Sequence, residues 1–383
     1  MAELAPSGLA VAPGVPPPRA SVVRRLEVPD ADAVSCHALS KDEQLLALCP
    51  NTEDILIFRL QGEEFQRAHV LSKHTQRVTG LAWSCNGRLV SCSEDRQAFV
   101  WEPDDTVGWR SVLVELRAPR AALCVSWAPN GLRFAVGLAS RDTAVCHYEN
   151  TVQCWVAWKV GRSKAAVGAL AWHPTSQYLA TGSTDRRCMV YDVNEAREEP
   201  FGQAQVTEDA GAWVNAVAFS PSGRFLAFLG QDSTARVKDL TGGPGAVVTV
   251  LRWKRLPFLR GCFLNDKSLV ACGFDCVPVL IRQSQGQWEV CGSLDIGPAG
   301  SVPASLSAGV DAAGAGGRDA FDNARSRFRG SAAGATASSA RKAELPTASS
   351  WHSNTITECS SLGGMRFSTS ALDGQVLVWL IEM

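Results

Sequence analysis

The hydrophobic positions of this chain alternate with polar ones in short runs, and the runs recur. Val78 to Trp101 reads as an alternating strand ending in an aromatic, a Pro/Asn/Gly turn, a second strand, a tight Asp-containing turn and a third strand. Val167 to Tyr191 repeats that pattern, as do Val125 to Tyr148, Val214 to Lys238, Leu259 to Ile281 and Thr355 to Trp379. A weaker copy runs from Val34 to Phe58. Period-two alternation of this length is the mark of half-buried strands, and self-similarity at a fixed spacing marks a repeat architecture.

Seven copies align on the tight turn, which is held by Thr52, Asp95, Asp142, Asp185, Asp232, Asp275 and Asp373. Six residues further on stand Phe58, Trp101, Tyr148, Tyr191, Lys238, Ile281 and Trp379. Lys238 and Ile281 break the aromatic rule, so their blades are expected to be looser. Successive turns lie 43 or 47 residues apart until the last interval of 98, which holds one period plus an insertion of about 50 residues.

Repeats of this length suit four-stranded blades set around an axis, each burying its faces on its neighbours. The expected fold is therefore all-β, a seven-bladed WD-repeat β-propeller over residues 21–383, with a long insertion at 297–350 in the last blade. The last copy ends after its third strand, and Val22 to Val28 is the segment expected to supply the missing outer strand. Without that closure the ring would present open sheet edges.

Composition narrows the function. Hydrophobic residues make up 46% of the 383 and charged residues 20%, which suits a globular core. The formal net charge of -1 and the brevity of the basic runs Arg252 to Arg255 and Arg325 to Arg329 argue against nucleic acid. No apolar run is long enough for a membrane span and no secretory leader is evident, so membrane insertion is not expected and a cytoplasmic location is. The first 20 residues, with PGVPPP, read as a flexible extension, with an organelle transit peptide as the second reading. None of the 13 cysteines forms Cys-x-x-Cys, and Cys124, Cys188 and Cys262 sit in apolar runs as small buried thiols. A metal site of Cys272, Cys276 and His173 is the weaker alternative, because its spacing fits no zinc pattern. No cofactor is expected.

Two polar sets resemble hydrolase triads: His74, Ser91 or Ser93, Asp95 and Trp101, and His352, Thr369, Asp373 and Trp379. The structural reading takes them, with the other turn aspartates, as hydrogen-bond networks tying each turn to the loop entering its blade. No phosphate loop, nucleophile elbow, HExxH helix or EF-hand loop is present, so a binding scaffold is expected rather than an enzyme.

Within the Gly/Ala/Ser-rich insertion, Arg318 to Gly330 reads as a short helix with Phe321, Ala324 and Phe328 on one stripe. Asp319 and Asp322 precede Arg325, Arg327 and Arg329, which complements the helix dipole. So short a helix needs a docking partner. It can plug its own propeller or project into a partner's groove, and the flexible arms on both sides favour projection.

The residues also resemble a family, the WD-repeat subunit 1 of the actin-related protein 2/3 complex. The likeness runs from about Val34 to Trp379. It includes Ser35 to Ala38, Cys49 to Asn51, Val78 to Gly80, Arg120 to Asn130, Phe134 to Gly137 and Trp172 to Pro174. It continues through Pro200 to Gly202, Asp232 to Thr234, Ser268 to Ala271, Asp275 to Leu280 and Ala324 to Phe328. The resemblance implies a non-catalytic subunit of a seven-protein assembly that starts a branch from the side of an actin filament. It implies contacts with actin-related proteins, small subunits of the same complex, the actin filament and nucleation-promoting factors. It further implies that Phe321, Ala324, Arg325, Arg327 and Phe328 project toward the mother filament. The longer N-terminal extension, the Gly/Ala-rich insertion and the absence of a tail after the last strand depart from the family. A general propeller adaptor or substrate receptor is the alternative.

Overall fold

Alternating side chains along each run are satisfied when three or four strands pair edge to edge and two such sheets face each other, and the computed structural model of the chain is built that way. It describes residues 18–28, 31–194, 201–243, 245–294 and 352–382. The proposed insertion helix at 318–330 lies outside the described residues.

Blade 1 consists of β2 (Cys36–Leu39), β3 (Leu45–Cys49), β4 (Ile55–Gln61) and β5 (Glu64–Leu71). Blade 2 has β6 (Val78–Trp83), β7 (Leu89–Ser93), β8 (Ala98–Asp104) and β9 (Gly108–Glu115). Blade 3 has β10 (Ala122–Trp127), β11 (Arg133–Leu138), β12 (Asp142–Glu149) and β13 (Cys154–Arg162). Blade 4 has β14 (Val167–Trp172), β15 (Tyr178–Ser183), β16 (Arg187–Asp192) and β17 (Gln203–Asp209). Blade 5 has β18 (Val214–Phe219), β19 (Phe225–Gly230), β20 (Thr234–Asp239) and β21 (Val248–Arg252). Blade 6 has β22 (Phe258–Asn265), β23 (Ser268–Gly273), β24 (Val279–Ser284) and β25 (Gln287–Ser293). Blade 7 has β26 (Ile356–Gly363), β27 (Arg366–Ala371) and β28 (Gln375–Ile381).

The fourth strand of blade 7 comes from the other end of the chain. β1 (Ala20–Glu27) runs antiparallel to β28, from Ala20 opposite Ile381 to Glu27 opposite Gln375. Apart from the pairing of β1 with β28, strand order within each blade follows the chain, so each of those steps is a hairpin connection. Blades 2 and 3 also touch at their rims, where Trp155 and Val156 of β13 pair in parallel with Val114 and Glu115 of β9.

The inner strands β2, β6, β10, β14, β18, β22 and β26 each pack on the next, and β26 returns to β2. One side chain near the start of most inner strands stitches its blade to the following one. Ser35 Oγ donates to Val78 O (3.3 Å), Thr79 Oγ1 to Ala122 O (2.8 Å), Asn215 Nδ2 to Phe258 O (2.8 Å) and Thr357 Oγ1 to Val34 O (2.8 Å). Between blades 6 and 7 the Arg260 guanidinium meets Glu358 at 3.3 Å instead. Gly137 must stay small because a Cβ there would lie 2.6 Å from Cys124 Sγ and 2.8 Å from Val167 O.

Apolar faces between blades form the core. Cys36, Ala47, Ile55, Ile57, Leu89 and Trp101 pack together between blades 1 and 2, and Phe367, Trp379, Val270 and Leu280 between blades 6 and 7. The positions that lack an aromatic are nevertheless filled. Ile281 is wholly buried, and Lys238 is 1% exposed with its ammonium 2.8 Å from Glu208 of blade 4 and 3.0 Å from Ala246 O. The buried Lys238 ammonium thus spends its charge on an inter-blade ion pair, which keeps it from being an unpaired buried cation.

Candidate functional site

The turn after the second strand of a blade leaves backbone N–H groups without strand partners, and an acidic side chain two residues beyond that strand can accept them. In blade 2 this residue is Asp95, two residues past Ser93. Its Oδ1 accepts Gln97 N at 2.9 Å and its Oδ2 accepts Thr75 N at 3.0 Å. The same Oδ2 lies 2.8 Å from His74 Nδ1. On the far side of the imidazole, Nε2 lies 2.8 Å from Ser91 Oγ, which also receives the Trp101 indole N–H at 2.9 Å.

One proton arrangement satisfies every partner: Trp101 donates to Ser91, Ser91 donates to His74 Nε2, and Nδ1–H donates to Asp95. Ser91, not Ser93, is the hydroxyl of this network, while Ser93 Oγ donates to Gln76 O and accepts Asp95 N. Burial holds the His74 pKa below its usual range against the pull of Asp95. With its side chain fully buried, His74 has no access to a substrate.

Blade 7 repeats the arrangement with threonine in place of serine. His352 Nδ1 faces Asp373 at 3.1 Å, Nε2 meets Thr369 Oγ1 at 2.7 Å, and the Trp379 indole donates to the same hydroxyl at 2.8 Å. Burial opposes the charge on Asp373, yet the His352 hydrogen bond and charge keep its carboxyl below the usual range.

The other turns keep fewer parts. The residue four before the inner strand is His74 or His352 in blades 2 and 7, but Ala118, Ser163, Ala210 and Lys254 in blades 3 to 6. Asp185 accepts Lys164 N (2.7 Å) and Arg187 N (3.0 Å). Asp232 pairs with Arg236 at 2.9 Å and Thr234 at 2.6 Å. Asp275 accepts the Trp253 indole N–H at 2.6 Å, and burial raises its carboxyl above the usual range. Thr52 contributes its backbone, as Thr52 O accepts Val78 N at 2.9 Å.

Asp142 does not belong to this set. The residue two past β11 is Ser140, and Asp142 is the first residue of β12, where blade 2 has Gln97. Strand pairing shows the same shift: Leu89 faces Trp101 in blade 2, whereas Phe134 faces Cys146 in blade 3. Tyr148, aligned with Trp101 in the sequence, is 40% exposed two residues further out. Arg96 and Arg141, both with left-handed backbone, mark the equivalent turn corner.

A polar cluster that the repeat pattern did not single out closes the seam of the ring. His37 of β2 reaches across to blade 7, with Nδ1 2.9 Å from Ser370 Oγ and Nε2 2.8 Å from Ser368 Oγ. Burial, aided by the charge of His352, pushes its pKa down to about 3. The only signal available in the sequence was a histidine inside an apolar strand.

A central channel of about 330 Å³ runs between the inner strands and is lined among others by Asn215, Arg260 and Glu358. The metal alternative is not assembled. His173 bonds Thr175 and packs on Tyr178 and Phe219, in blades 4 and 5, whereas Cys272 and Cys276 lie in blade 6. All 13 cysteines are free thiols and only Cys85 is exposed. Phe321, Ala324, Arg325, Arg327 and Phe328 lie outside the described residues.

A closed ring of four-stranded blades, with buried polar networks in its turns, defines a WD-repeat β-propeller whose polar constellations serve the fold. The WD domain, G-beta repeat model matches residues 65–102, 159–192 and 204–239. Similarity to curated proteins covers nearly the whole chain. It is 32% identical over 92% of this chain to actin-related protein 2/3 complex subunit 1B of Arabidopsis thaliana, covering 95% of that protein. It is 33% identical to subunit 1A-A of Xenopus laevis, over 91% of this chain and 94% of that one. Against subunit 1 of Schizosaccharomyces pombe it is 30% identical, over 90% and 96%. The chain belongs to the family of actin-related protein 2/3 complex subunit 1.

Proposed function

We propose that this chain is the non-catalytic propeller subunit of an actin-related protein 2/3 complex, acting in the cytoplasmic actin cytoskeleton to support branched nucleation from the side of a mother filament. The observation that carries this reading is the family likeness over nine-tenths of the chain, with relatives that bear the name of one assembly: 92% of the chain for one and 90% for another. A rigid ring offers loops on two faces and a rim to several partners at once, which suits a scaffold. The histidine networks that resemble a hydrolase are buried turn supports, which favours binding over catalysis. The partners proposed are actin-related proteins, the small subunits of the complex, nucleation-promoting factors and the actin filament.

Within this reading, the Phe321/Phe328 stripe anchors the insertion on the filament, with Arg325 and Arg327 beside it. Its support is the amphipathic spacing of the sequence. Tagged full-length chain should co-isolate two actin-related proteins in stoichiometric amount, and isolation without them sinks the assembly role. In the reconstituted complex, Phe321→Ala with Phe328→Ala should lower branch density several-fold while every subunit still co-purifies. Unaltered branching removes the stripe as the anchor.

A further inference from the structure

Blade 3, which like blade 1 lacks a turn acid, carries a basic cleft. Blades 2, 4, 5, 6 and 7 place Asp95, Asp185, Asp232, Asp275 and Asp373 two residues past their second strand, and blade 3 places Ser140 there. Blade 3 also has Ala118 where blades 2 and 7 insert a histidine. A cleft of about 940 Å³ stands at this turn, lined by the loops entering blades 3 and 4.

Four cations line it, Arg120, Arg141, Lys159 and Arg162, against one carboxylate, Asp142. Asp142 is shared by Lys159 at 3.5 Å and Arg162 at 4.0 Å, while Arg120 and Arg141 have no ion pair among the described residues. The turn is held by the backbone, with Ser163 N donating to Arg141 O at 3.0 Å and Ala139 N to Ala121 O at 2.9 Å. The floor is made by the small side chains of Ala139, Ala165 and Ala166, which leave room for a ligand group.

We propose that this cleft binds a phosphorylated serine or threonine on a segment of a partner protein, the ligand bringing the acid that blade 3 lacks. A carboxylate carries one charge and meets one guanidinium fork. A phosphate carries up to two charges and three acceptor oxygens, so it can engage two forks at once and offset more of the excess positive charge. The Ser140 hydroxyl, which donates to Asp142 Oδ2 at 3.3 Å, lines the cleft and can turn that single donor to the phosphate instead. The inference does not depend on the assembly role proposed above.

The test passes a mixed phosphopeptide pool over immobilised full-length protein, with the phosphatase-treated pool and a pool carrying Glu for phosphoserine as controls. Phosphopeptides should be retained about tenfold over both controls, and more salt should weaken retention. Arg141→Ala with Arg162→Ala should lower retention about tenfold. Ser140→Asp should do the same while leaving the urea midpoint unchanged, because sister blades carry aspartate at this turn. Equal retention of the Glu pool, no retention of phosphopeptides, or Ser140→Asp binding like the parent each overturns the proposal. So does binding to phosphoinositide vesicles without retention of phosphopeptides, which would make the cleft a membrane contact.

Discussion

Removing one hydroxyl from blade 2 tests whether its polar network stabilises the fold. Ser91 is wholly buried and joins two donors' worth of chemistry, since Trp101 Nε1–H points into it and it points into His74 Nε2. In Ser91→Ala the methyl nearly fills the space of the hydroxymethyl, so cavity cost is small. The indole N–H and the imidazole nitrogen are both left buried without a partner, at about 1–3 kcal/mol each, or roughly 2–6 kcal/mol together. Ser91→Thr keeps the hydroxyl, as Thr369 does in blade 7, and should cost less than about 1.5 kcal/mol for the added methyl. Urea unfolding followed by tryptophan fluorescence should show a lower midpoint at unchanged slope for the alanine variant and a small change for threonine. Adding Trp101→Phe to Ser91→Ala removes one orphaned donor, so the double variant should lose less than the sum of the singles. An alanine variant as stable as the parent, or a threonine variant that falls as far as alanine, refutes the network as a stabilising unit.

The seam predicts a pH dependence. His37 is held neutral in the fold with a pKa of about 3, below its value in the unfolded chain, so its contribution is present above about pH 6.5 and lost as pH falls toward 3. Within that window the slope is about 1.4 kcal/mol per pH unit, which makes the loss roughly 2 kcal/mol between pH 7 and pH 5. His74, also depressed, adds to it. Urea midpoints across this range should fall, and His37→Gln, which keeps a donor and an acceptor without titrating, should flatten the slope. A slope unchanged in that variant removes His37 as its source. Deleting residues 1–28 strips β1 from β28 and exposes the edge from Gln375 to Ile381, so the product should aggregate. A soluble monomer with unchanged melting would overturn the closure.

Much of the architecture was legible because it is written in local terms. Strand alternation, turn chemistry and the repeat period each span a few residues, so seven copies could be counted and the outer strand at Val22 to Val28 assigned to the last blade. The turn acids Asp95, Asp185, Asp232, Asp275 and Asp373 were legible for the same reason. Asp142 was not, because counting from an aromatic cannot detect a two-residue shift; only the pairing of Phe134 with Cys146 reveals that Ser140 holds the turn.

Sequence alone therefore determined the number of blades, their strand directions and which residue types stand at their corners, since side-chain alternation and backbone turn preferences act between neighbours along the chain. Tertiary structure decided how the ring is stitched and where its charges collect. His37 meets Ser370 across 333 positions and Arg260 meets Glu358 across 98. Such contacts depend on how far each blade rotates about the axis, a quantity set by packing of whole sheets, and no local pattern encodes it.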